Sequence, residues 1–580
     1  MSFSKNITKC SRRCMITIQR RGYNSGASDT VDTAKMQAKS IILNQLKLIT
    51  QLKNFISKVT LDKTFENALN KEFAHFLQKI QPKTYGKDLI RYFESTTAIP
   101  KTLDKQTDQD TSPSSIYLPK VFSGLTFGIG MKVEKKEVIP KWKMGKPTVS
   151  KESITCRTSQ ILSSVMVAEM VKSRHSRIED LIHHLKQYPE AKHNAVKEGA
   201  IRMLLYVREH NKDPAISESL REAFALLGFC DPVKGKGIRI LSVDGGGVRG
   251  ILVIEMLRKL EEFCGKPIYE MFDLICGVST GAILLTLGGL KRCSLDEVSE
   301  IYKNISTQIF TQSTIKGTSN LVWSHSYYDT ALWEKLLKAQ WGDKTLIETN
   351  RDEKVPKYCA VSAVVNQTRL SAYVFRNYSL PCRVQSNYLG GCDHRVWESV
   401  RASAAAPTYF EEFRLGRMLH QDGGILVNNP TAVAVHEAKL LWPDTPLQCV
   451  VSFGTGRTAI NPPTDSEQET ATLSGSSWKN KFYTILDSAT DTEGVHTMLS
   501  DLLPANVYYR FNPYLTEMLD IAEIDPHKIE QLKRDAIMYL RRNEDKFHEA
   551  AQALNMKKSK AKHAVEWINL KKDILGFKQN

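Results

Sequence analysis

The sequence predicts an α/β domain built on a parallel sheet, with a helical module before it. From Gly237 onward, apolar runs of strand length alternate with amphipathic segments of helix length, and strands separated by helices favour a parallel sheet. Two of these runs lead directly into glycine-containing turns, Asp244–Gly250 and Gly277–Gly281. Because ligands bind at the carboxyl ends of the strands in such sheets, both turns are candidates for a functional site.

The elements of this domain follow from the spacing of the apolar residues. The predicted strands are Ile238–Val243, Phe272–Cys276, Tyr358–Val365 and Leu447–Phe453. The predicted helices are an amphipathic one from Val248 to Phe263 and a shorter apolar one from Ala282 to Leu287. Upstream, residues 151–232 carry apolar positions at helical spacing, with breaks at prolines. Short stacked helices of this kind are typical of a small armadillo-like module.

The composition is that of an ordinary globular protein and excludes several classes. Of the 580 residues, 42% are hydrophobic and 25% are charged, which rules out a wholly disordered, collagen-like or simple coiled-coil chain. The sequence has no uninterrupted apolar run of about 18 residues, so no membrane-spanning helix is predicted. Its 11 cysteines are scattered without a C-x-x-C pair. This pattern supports neither a disulfide framework nor a zinc site, and we predict no metal.

The charge indicates the kind of partner. A net charge of +17 favours nucleic acid, phospholipid headgroups or an acidic protein surface, with a merely solvated basic surface as the alternative. The sequence has no RNA-recognition motif, zinc finger or helix-turn-helix signature, so nucleic acid is not the expected partner. The basic segment near the carboxyl end contains Lys557, Lys558, Lys560 and Lys562. Such residues favour peripheral association with an anionic membrane.

Five regions are predicted along the chain. Residues 1–30 are rich in Lys, Arg, Ser and Thr and have no acidic residue before Asp29, which is typical of a mitochondrial transit peptide. An ordinary basic tail is the alternative there. The other regions are a basic amphipathic and linker region (31–150), the helical module (151–232), the central α/β domain (237–440) and a carboxyl-terminal α/β extension with a basic helical tail (441–580).

The turn after the first strand, Asp244–Gly250, reads D-G-G-G-V-R-G. Its glycines let the backbone N–H groups of Gly245, Gly246 and Gly247 converge on one point, and the following helix adds its partial positive charge. Such a nest suits a phosphate or a developing oxyanion. The spacing also satisfies the dinucleotide-binding fingerprint G-x-G-x-x-G. That alternative needs an acidic residue at the end of the second strand, whereas Glu270 and Asp273 lie before it or at its start.

The turn after the second strand, Gly277–Gly281, reads G-V-S-T-G and has the context of a nucleophile elbow. The small residues Gly277 and Gly281 allow a sharp strand-to-helix turn that exposes the hydroxyl of Ser279 at the start of the helix. The alternative is a serine that only caps this helix. In this strand–turn–helix context we predict that Ser279 is a nucleophile.

A third turn, Asp422-Gly423-Gly424, offers a partner for that serine. An aspartate on a glycine turn can be a plain turn residue, but beside a serine nucleophile it can act as the general base. A Ser–Asp–His triad would need a histidine after Asp422. The histidines available there, none of them in a glycine-rich turn after a strand, are His436, His496, His527, His548 and His563. A dyad of Ser279 and Asp422 is the simpler prediction.

Together these motifs resemble the patatin-like phospholipase family. The family has a glycine-rich oxyanion loop, a G-x-S-x-G elbow and a D-G-[GA] turn, which occur here in the same order. The stretch Arg401–Phe410 resembles the Ala-rich segment that precedes the aspartate in this family. The stretch Tyr508–Pro513 resembles the family more weakly. The resemblance covers residues 238–440 and implies a patatin-like parallel-sheet catalytic domain. Within the family, the long basic region before Gly237 is most similar to the calcium-independent phospholipases A2 of the gamma type.

The resemblance implies an enzyme that hydrolyses acyl esters of membrane glycerophospholipids without a metal or a cofactor. Ser279 and Asp422 would form the catalytic dyad, and the oxyanion hole would be lined by Gly245, Gly246 and Gly247. The residues that support the motifs would be Arg249, Gly250, Gly277, Gly281, Gly423 and Gly424. For Arg249 two roles stay open, namely contact with the lipid phosphate and a salt bridge that braces the loop.

Other functions and locations remain as alternatives. A neutral-lipid lipase or acyltransferase could use the same dyad, because an alcohol can intercept the acyl-enzyme in place of water. A non-catalytic lipid-binding scaffold is disfavoured because both Ser279 and Asp422 are present. The resemblance implies a membrane-associated pool, expected in mitochondria because the chain ends at Asn580 without a Ser-Lys-Leu signal. Peroxisomal or endoplasmic reticulum membrane is the alternative. The position cleaved, the headgroup and the oligomeric state stay open.

Overall fold

The computed structural model describes residues 149–311, 328–457, 492–517 and 519–575. The predictions for residues 1–30 and for residues 31–148 of the basic region lie outside these described residues. Among the helices that are described, none is both long enough and apolar enough to cross a membrane.

Five short helices stack in the amino-terminal part of the described chain. They are α1 (Lys151–Val167), α2 (Val171–Gln187), α3 (Ala191–Lys197), α4 (Ala200–His210) and α5 (Pro214–Leu227). The last helix begins where Asp213 accepts hydrogen bonds from two N–H groups of its first turn, and it ends at Gly228 in the left-handed conformation. The apolar faces of all five helices meet in one buried cluster. The stretch predicted to be helical therefore forms a layer with its own core.

Ion pairs join this helical layer to the α/β part. Arg351 contacts Glu222 and Glu179 of the helices. Lys186 lies 2.7 Å from Glu222 and 2.8 Å from Glu348. Because Glu222 is fully buried, both cations compensate a carboxylate that has lost its water. The layer is thus attached through buried charges as well as through apolar contacts.

The α/β part is organised around one mixed sheet. Its strands are β1 (Ile238–Val243), β2 (Leu274–Val278), β3 (Lys357–Val364), β4 (Ser371–Arg376), β5 (Leu389–Gly391), β6 (Phe413–Leu415), β7 (Met418–Asp422), β8 (Leu447–Phe453) and β9 (Tyr508–Phe511). The main path runs in the order β5-β4-β3-β2-β1-β8-β9, and β7 pairs with β3 and β6. The central strands from β3 to β9 on this path are parallel. The predicted α/β class with a mostly parallel sheet is confirmed.

Helices cover both faces of the sheet. They are α6 (Gly250–Cys264), α7 (Ile268–Met271), α8 (Thr280–Leu285), α9 (Leu295–Phe310), α10 (Thr330–Trp341), α11 (Val396–Ser403), α12 (Thr431–Leu441), α13 (Thr492–Leu502), α14 (Pro526–Arg542), α15 (Glu544–Asn555) and α16 (Lys560–Leu575). Leu241 and Val243 of β1 pack in one core with α6, whereas Ile238 and Ile240 pack in another with α12. This alternation follows from the two-residue period of a strand and explains the continuous apolar run of β1.

The register of the strands brings three turns to one edge of the sheet. Val243, the last residue of β1, pairs with Gly277 of β2. On the other side of β2, the parallel strand β3 pairs Ser362 with Asp422, the last residue of β7. The glycine loop after β1, the serine turn after β2 and the end of β7 therefore lie together at the carboxyl edge of the parallel strands.

Several boundaries differ from the prediction. The second strand begins at Leu274 rather than Phe272, because the short helix α7 runs to Met271 and the Asp273 carboxylate bonds the backbone and side chain of Arg239. The strands β4 to β7 were not predicted. Those of the β6–β7 hairpin are short or polar, so they lack the apolar pattern of a strand. The sheet continues beyond residue 440, because β8 and β9 lie in the region predicted as a carboxyl-terminal α/β extension.

Candidate active site

Ser279 lies on a sharp turn between β2 and α8. Its backbone dihedrals are φ 52° and ψ −118°, a conformation that is strained for a residue with a side chain. Glycines make the turn possible by close approach: a Cβ atom on Gly277 would clash with the backbone of Gly281, and one on Gly281 would clash with the carbonyl oxygen of Val243. The turn therefore holds the serine at the end of the strand with the geometry of a nucleophile elbow.

The hydroxyl of Ser279 contacts Asp422 directly. Its Oγ donates a hydrogen bond of 2.6 Å to Oδ2 of the carboxylate. The backbone of the serine is held by Ser403, whose Oγ accepts from the Ser279 N–H at 2.9 Å and donates to the carbonyl of Val361 at 2.6 Å. Ser403 was not a candidate in the sequence, although it lies in the Ala-rich stretch. The structure thus brings Ser279 and Asp422 together, and Ser403 positions the turn.

Asp422 is a buried carboxylate that has only neutral partners. It is 6% exposed, and its Oδ1 accepts a hydrogen bond of 2.7 Å from the N–H of Gly424. No cationic side chain of the described residues forms an ion pair with it. Burial raises the pKa of Asp422 to about 6, although the hydrogen bonds from Ser279 and Gly424 lower it in part. Gly423 is required beside it, because a Cβ atom there would clash with the carbonyl oxygen of Val361.

The carbonyl groups of the glycine loop are turned into the protein. The Gly245 carbonyl accepts from Oγ1 of Thr455 at 2.7 Å, and the Gly247 carbonyl accepts from Oγ1 of Thr280 at 2.8 Å. The Gly246 carbonyl accepts from Nε of Arg249 at 3.1 Å. Fixing each carbonyl in this way also fixes the direction of the neighbouring N–H groups.

The N–H groups of this loop differ in whether they have a hydrogen-bond acceptor. Gly245 donates a long hydrogen bond of 3.4 Å to the Asn428 carbonyl. Within the described part of the chain, the N–H groups of Gly246 and Gly247 have no acceptor. The loop lies against the serine, because a Cβ atom on Gly245 would be 3.2 Å from the Cβ of Ser279 and 2.6 Å from Oδ1 of Asn428. Two backbone donors are therefore unused among the described residues, on the two glycines that follow the one lying against Ser279.

The comparisons with known proteins decide the family. The profile described as patatin-like phospholipase matches residues 241–435. The chain carries a patatin-like phospholipase domain. It is 45% identical over 442 residues to calcium-independent phospholipase A2-gamma of Rattus norvegicus, covering 76% of this chain and 56% of that protein. It is 44% identical over 427 residues to the Homo sapiens protein of that name, covering 73% and 54%.

The resemblance read from the motifs, including that to the gamma type, is confirmed. The chain spans about half the length of these curated relatives. The solved structure of human GIVD cytosolic phospholipase A2 shares 10% identity, with a TM-score of 0.30 and coverage of 55% of this chain and 60% of that one.

Arg249 and Gly250 complete the loop of the patatin-like domain. The Arg249 side chain is 6% exposed, and its Nε bonds the loop carbonyl of Gly246. In this position the guanidinium lies against the loop. Gly250 is required at the start of α6, because a Cβ atom there would clash with the methyl group of Thr280.

A second buried aspartate anchors the loop. Asp244, directly before Gly245, is 2% exposed and receives two hydrogen bonds from Arg510 of β9, at 2.9 and 2.6 Å. Burial raises the pKa of Asp244, and the guanidinium opposes that effect. The pair ties the end of β1 to the end of β9. No single local motif could have predicted this ion pair, although Arg510 lies in the stretch Tyr508–Pro513, which weakly resembles the family.

No histidine among the described residues completes a triad with Ser279 and Asp422. Neither Ser279 nor Asp422 has a hydrogen bond with any histidine among the described residues. His436 lies within α12, and its Nε2 accepts a hydrogen bond of 3.4 Å from the N–H of Asn387. His420 lies on β7 two residues before Asp422, but its Nδ1 bonds Oγ of Ser362 and its ring is buried. The described residues also contain no group of three or more His, Cys, Asp or Glu side chains that could hold a metal ion.

Proposed function

We propose that the protein is a calcium-independent serine phospholipase that cleaves acyl esters of membrane glycerophospholipids into lysophospholipid and free fatty acid. The observation that carries this proposal is the 2.6 Å hydrogen bond from Ser279 to Asp422 on a strained strand-to-helix turn. The N–H groups of Gly246 and Gly247, which are unused among the described residues, support the same chemistry. The names of the relatives point to the same substrate class.

In the first half of the reaction, Oγ of Ser279 attacks the ester carbonyl while Asp422 accepts its proton. With a pKa of about 6, the carboxylate is ionised at neutral pH and more basic than an ordinary aspartate. The negative charge that develops on the carbonyl oxygen faces the N–H groups of Gly246 and Gly247, and each such donor typically contributes ~2.7–4 kcal/mol. When the intermediate collapses, the lysophospholipid oxygen leaves and takes the proton from Asp422.

In the second half, water attacks the acyl group on Ser279. Asp422 accepts the proton of the water, the same N–H groups stabilise the oxyanion, and Oγ of Ser279 leaves and regains a proton. The fatty acid is released. One carboxylate therefore serves both steps, because each begins with the loss of a proton and ends with the return of one.

The setting of this activity is a membrane surface. We infer peripheral association with an anionic mitochondrial membrane from the net charge of +17 and the transit-like residues 1–30. In α16, Val565, Trp567 and Ile568 are exposed apolar residues on a helix that also carries lysines. Of the basic segment near the carboxyl end, Lys558 is buried and paired with Glu566, so it cannot contribute to the attachment.

The test measures the products from phosphatidylcholine vesicles with two distinguishable acyl chains, in the presence of a chelator. Wild-type protein is expected to release fatty acid and lysophospholipid, resolved by mass spectrometry. Ser279→Ala and Asp422→Asn should each lower the rate by about 10⁴-fold or more, as in other hydrolases whose nucleophile or base is removed. The matched controls, Ser500→Ala and Asp501→Asn on α13, replace the same residue types away from the site and should keep the full rate.

Each other result has a definite meaning. Release that survives both substitutions would place the chemistry elsewhere. Absence of release from vesicles, with cleavage of neutral lipids or transfer to an added alcohol, would favour a lipase or acyltransferase. Absence of any ester cleavage, together with no adduct between Ser279 and a fluorophosphonate probe, would favour a non-catalytic scaffold.

A further inference from the structure

A basic cavity borders the Asp244–Arg510 pair, because Arg510 is one of its lining residues. It has a volume of about 490 Å³ and opens between α13, β9, α14 and α15. Four cationic side chains line it, namely Arg457, Arg510, Arg542 and Lys546. Neither Ser279 nor Asp422 belongs to its lining, so a molecule bound here would not be in the position for cleavage.

The carboxylates near this cavity do not neutralise it. Arg457 pairs with Glu493 at 2.7 Å, and Arg510 is occupied by Asp244. The third carboxylate, Asp535, is bonded by the N–H and hydroxyl of Thr516. The two remaining cations are Arg542 on α14 and Lys546 on α15. Neither forms an ion pair with an acidic side chain among the described residues.

Lys546 lies close to two other cations of the cavity. Its Nζ donates to the carbonyl of Arg510 at 2.6 Å and lies 5.1 Å from the centre of the Phe511 ring. Burial lowers the pKa of Lys546, and the positive charges of Arg457 and Arg510 lower it further. Three cations thus stand close together, and an anion between them would remove their mutual repulsion.

Two of the guanidinium groups that line the cavity have an unused donor. The Nε atoms of Arg457 and Arg510 are both buried, and neither has a hydrogen-bond partner among the described residues. The Arg510 side chain as a whole is 4% exposed. Buried guanidinium N–H groups without acceptors are unusual, because an unsatisfied buried donor costs about 1–3 kcal/mol. The two guanidinium groups therefore keep donors that their carboxylate partners leave unused.

We propose that this cavity binds a phosphate group, either in a glycerophospholipid headgroup or as a free phosphate. Phosphate carries the negative charge and the clustered oxygens that two guanidinium groups and one ammonium group recognise. The volume suits a headgroup-sized ligand. Two lining residues, Tyr514 and Met538, are 57% and 47% exposed. These apolar groups at the opening favour a lipid, whose glycerol and first methylenes they would contact.

The test compares wild-type protein with Lys546→Met and with the matched control Lys212→Met, which removes an exposed lysine between α4 and α5. Thermal unfolding is followed during titration with inorganic phosphate at constant ionic strength, because a ligand of the folded state raises the Tm. Binding to vesicles of diether phosphatidylcholine, with and without diether phosphatidic acid, is measured by flotation. Diether lipids have no acyl ester, so the result does not depend on hydrolysis at Ser279.

Lys546→Met is expected to weaken binding of at least one probe about tenfold or more, whereas Lys212→Met binds like the wild type. A second variant, Arg457→Gln, should weaken the same probe, and circular dichroism verifies that both variants are folded. Loss in the phosphate titration alone identifies the free ion as the ligand, and loss on phosphatidic acid vesicles alone identifies the headgroup. Equal binding of Lys546→Met and Lys212→Met to both probes would overturn the proposal.

Discussion

Two buried aspartates at the same edge of the sheet have opposite electrostatic surroundings. Asp244 follows β1 and is held by both terminal nitrogens of Arg510. Asp422 ends β7 and is held by a hydroxyl and a backbone N–H. Both are almost completely buried, and burial raises the pKa of both carboxyls. The difference lies in the partners, which include a cation in one case and only neutral groups in the other.

This difference separates a structural carboxylate from one that can take up a proton. A guanidinium stabilises the charged form of Asp244 wherever the pH leaves arginine charged, so this carboxylate links β1 to β9 and keeps the glycine loop in place. Asp422 has no cation beside it, so burial destabilises its charged form. The carboxylate therefore accepts a proton from Ser279 more readily than an exposed aspartate would. The same type of side chain thus supports the site at one position and is proposed to act as its base at the other.

The largest effect on folding is expected from breaking the compensated pair. Arg510→Met should lower the free energy of unfolding by about 3–5 kcal/mol at pH 7, because it leaves Asp244 buried and charged without a partner. Urea-induced unfolding measures the change. The double variant Asp244→Asn/Arg510→Met should recover part of the loss, since it removes the orphaned charge as well.

The control for this experiment is Arg208→Met, which breaks the exposed ion pair between Arg208 and Asp231. Its cost should stay below about 1 kcal/mol, as for most exposed pairs. Equal costs for the two single variants would mean that Asp244 is not a buried charge that depends on Arg510. The contrast between the two aspartates would then lose its basis.

The sequence could not distinguish the two aspartates. Each heads the same tripeptide, Asp-Gly-Gly, at residues 244–246 and at residues 422–424. What separates them is a residue far along the chain: Arg510 lies 266 positions from Asp244, and Ser279 lies 143 positions from Asp422. Pairing of Ser279 with Asp422 could be predicted because the order of the motifs resembled a known family. The role of Arg510 could not, because only the pairing of β8 with β9 brings it to Asp244.

The same limit applies to the fold. The strands β1, β3 and β8 were predicted within a residue or so of their observed ends, because they are buried on both faces and read as continuous apolar runs. The hairpin of β6 and β7 was missed, although β7 ends in Asp422, because β6 has only three residues and β7 ends in three polar ones. Ser403 was also missed as a partner of Ser279, since their hydrogen bond exists only after the chain has folded.

A smaller effect is expected from removing the uncompensated charge. The pKa of Asp422 rises from about 4 in an unfolded chain to about 6 in the folded protein. The folded state therefore binds the proton more tightly, so stability is greatest below pH 4 and is lost as the pH rises through 6. Asp422→Asn has no such titration. Relative to wild type, it should gain up to ~3 kcal/mol of unfolding free energy between pH 4 and pH 7.5.

Urea unfolding of both proteins across this pH range measures that gain. The informative quantity is the pH dependence of the difference in unfolding free energy between variant and wild type. A difference in packing between aspartate and asparagine is the same at every pH and does not affect it. Asp501→Asn, which neutralises an exposed carboxylate on α13, should show a nearly constant difference from wild type. A flat difference for Asp422→Asn as well would show that Asp422 is not a carboxylate with a raised pKa in the folded protein.

The last expected effect concerns the pH dependence of the rate. If ionised Asp422 is the base, kcat/KM on a soluble monomeric ester should reach a plateau above about pH 7 and fall tenfold for each pH unit below about 6. A soluble ester is needed because the charge of a lipid surface also changes with pH. The neighbouring His420 is the competing titratable group, but burial lowers its pKa to about 4. A midpoint near 4 would therefore assign the limb to His420, and a rate independent of pH down to 4.5 would exclude Asp422 as the base. A midpoint near 6 that persists in His420→Asn would attribute the proton transfer to Asp422, which has no cation beside it among the described residues.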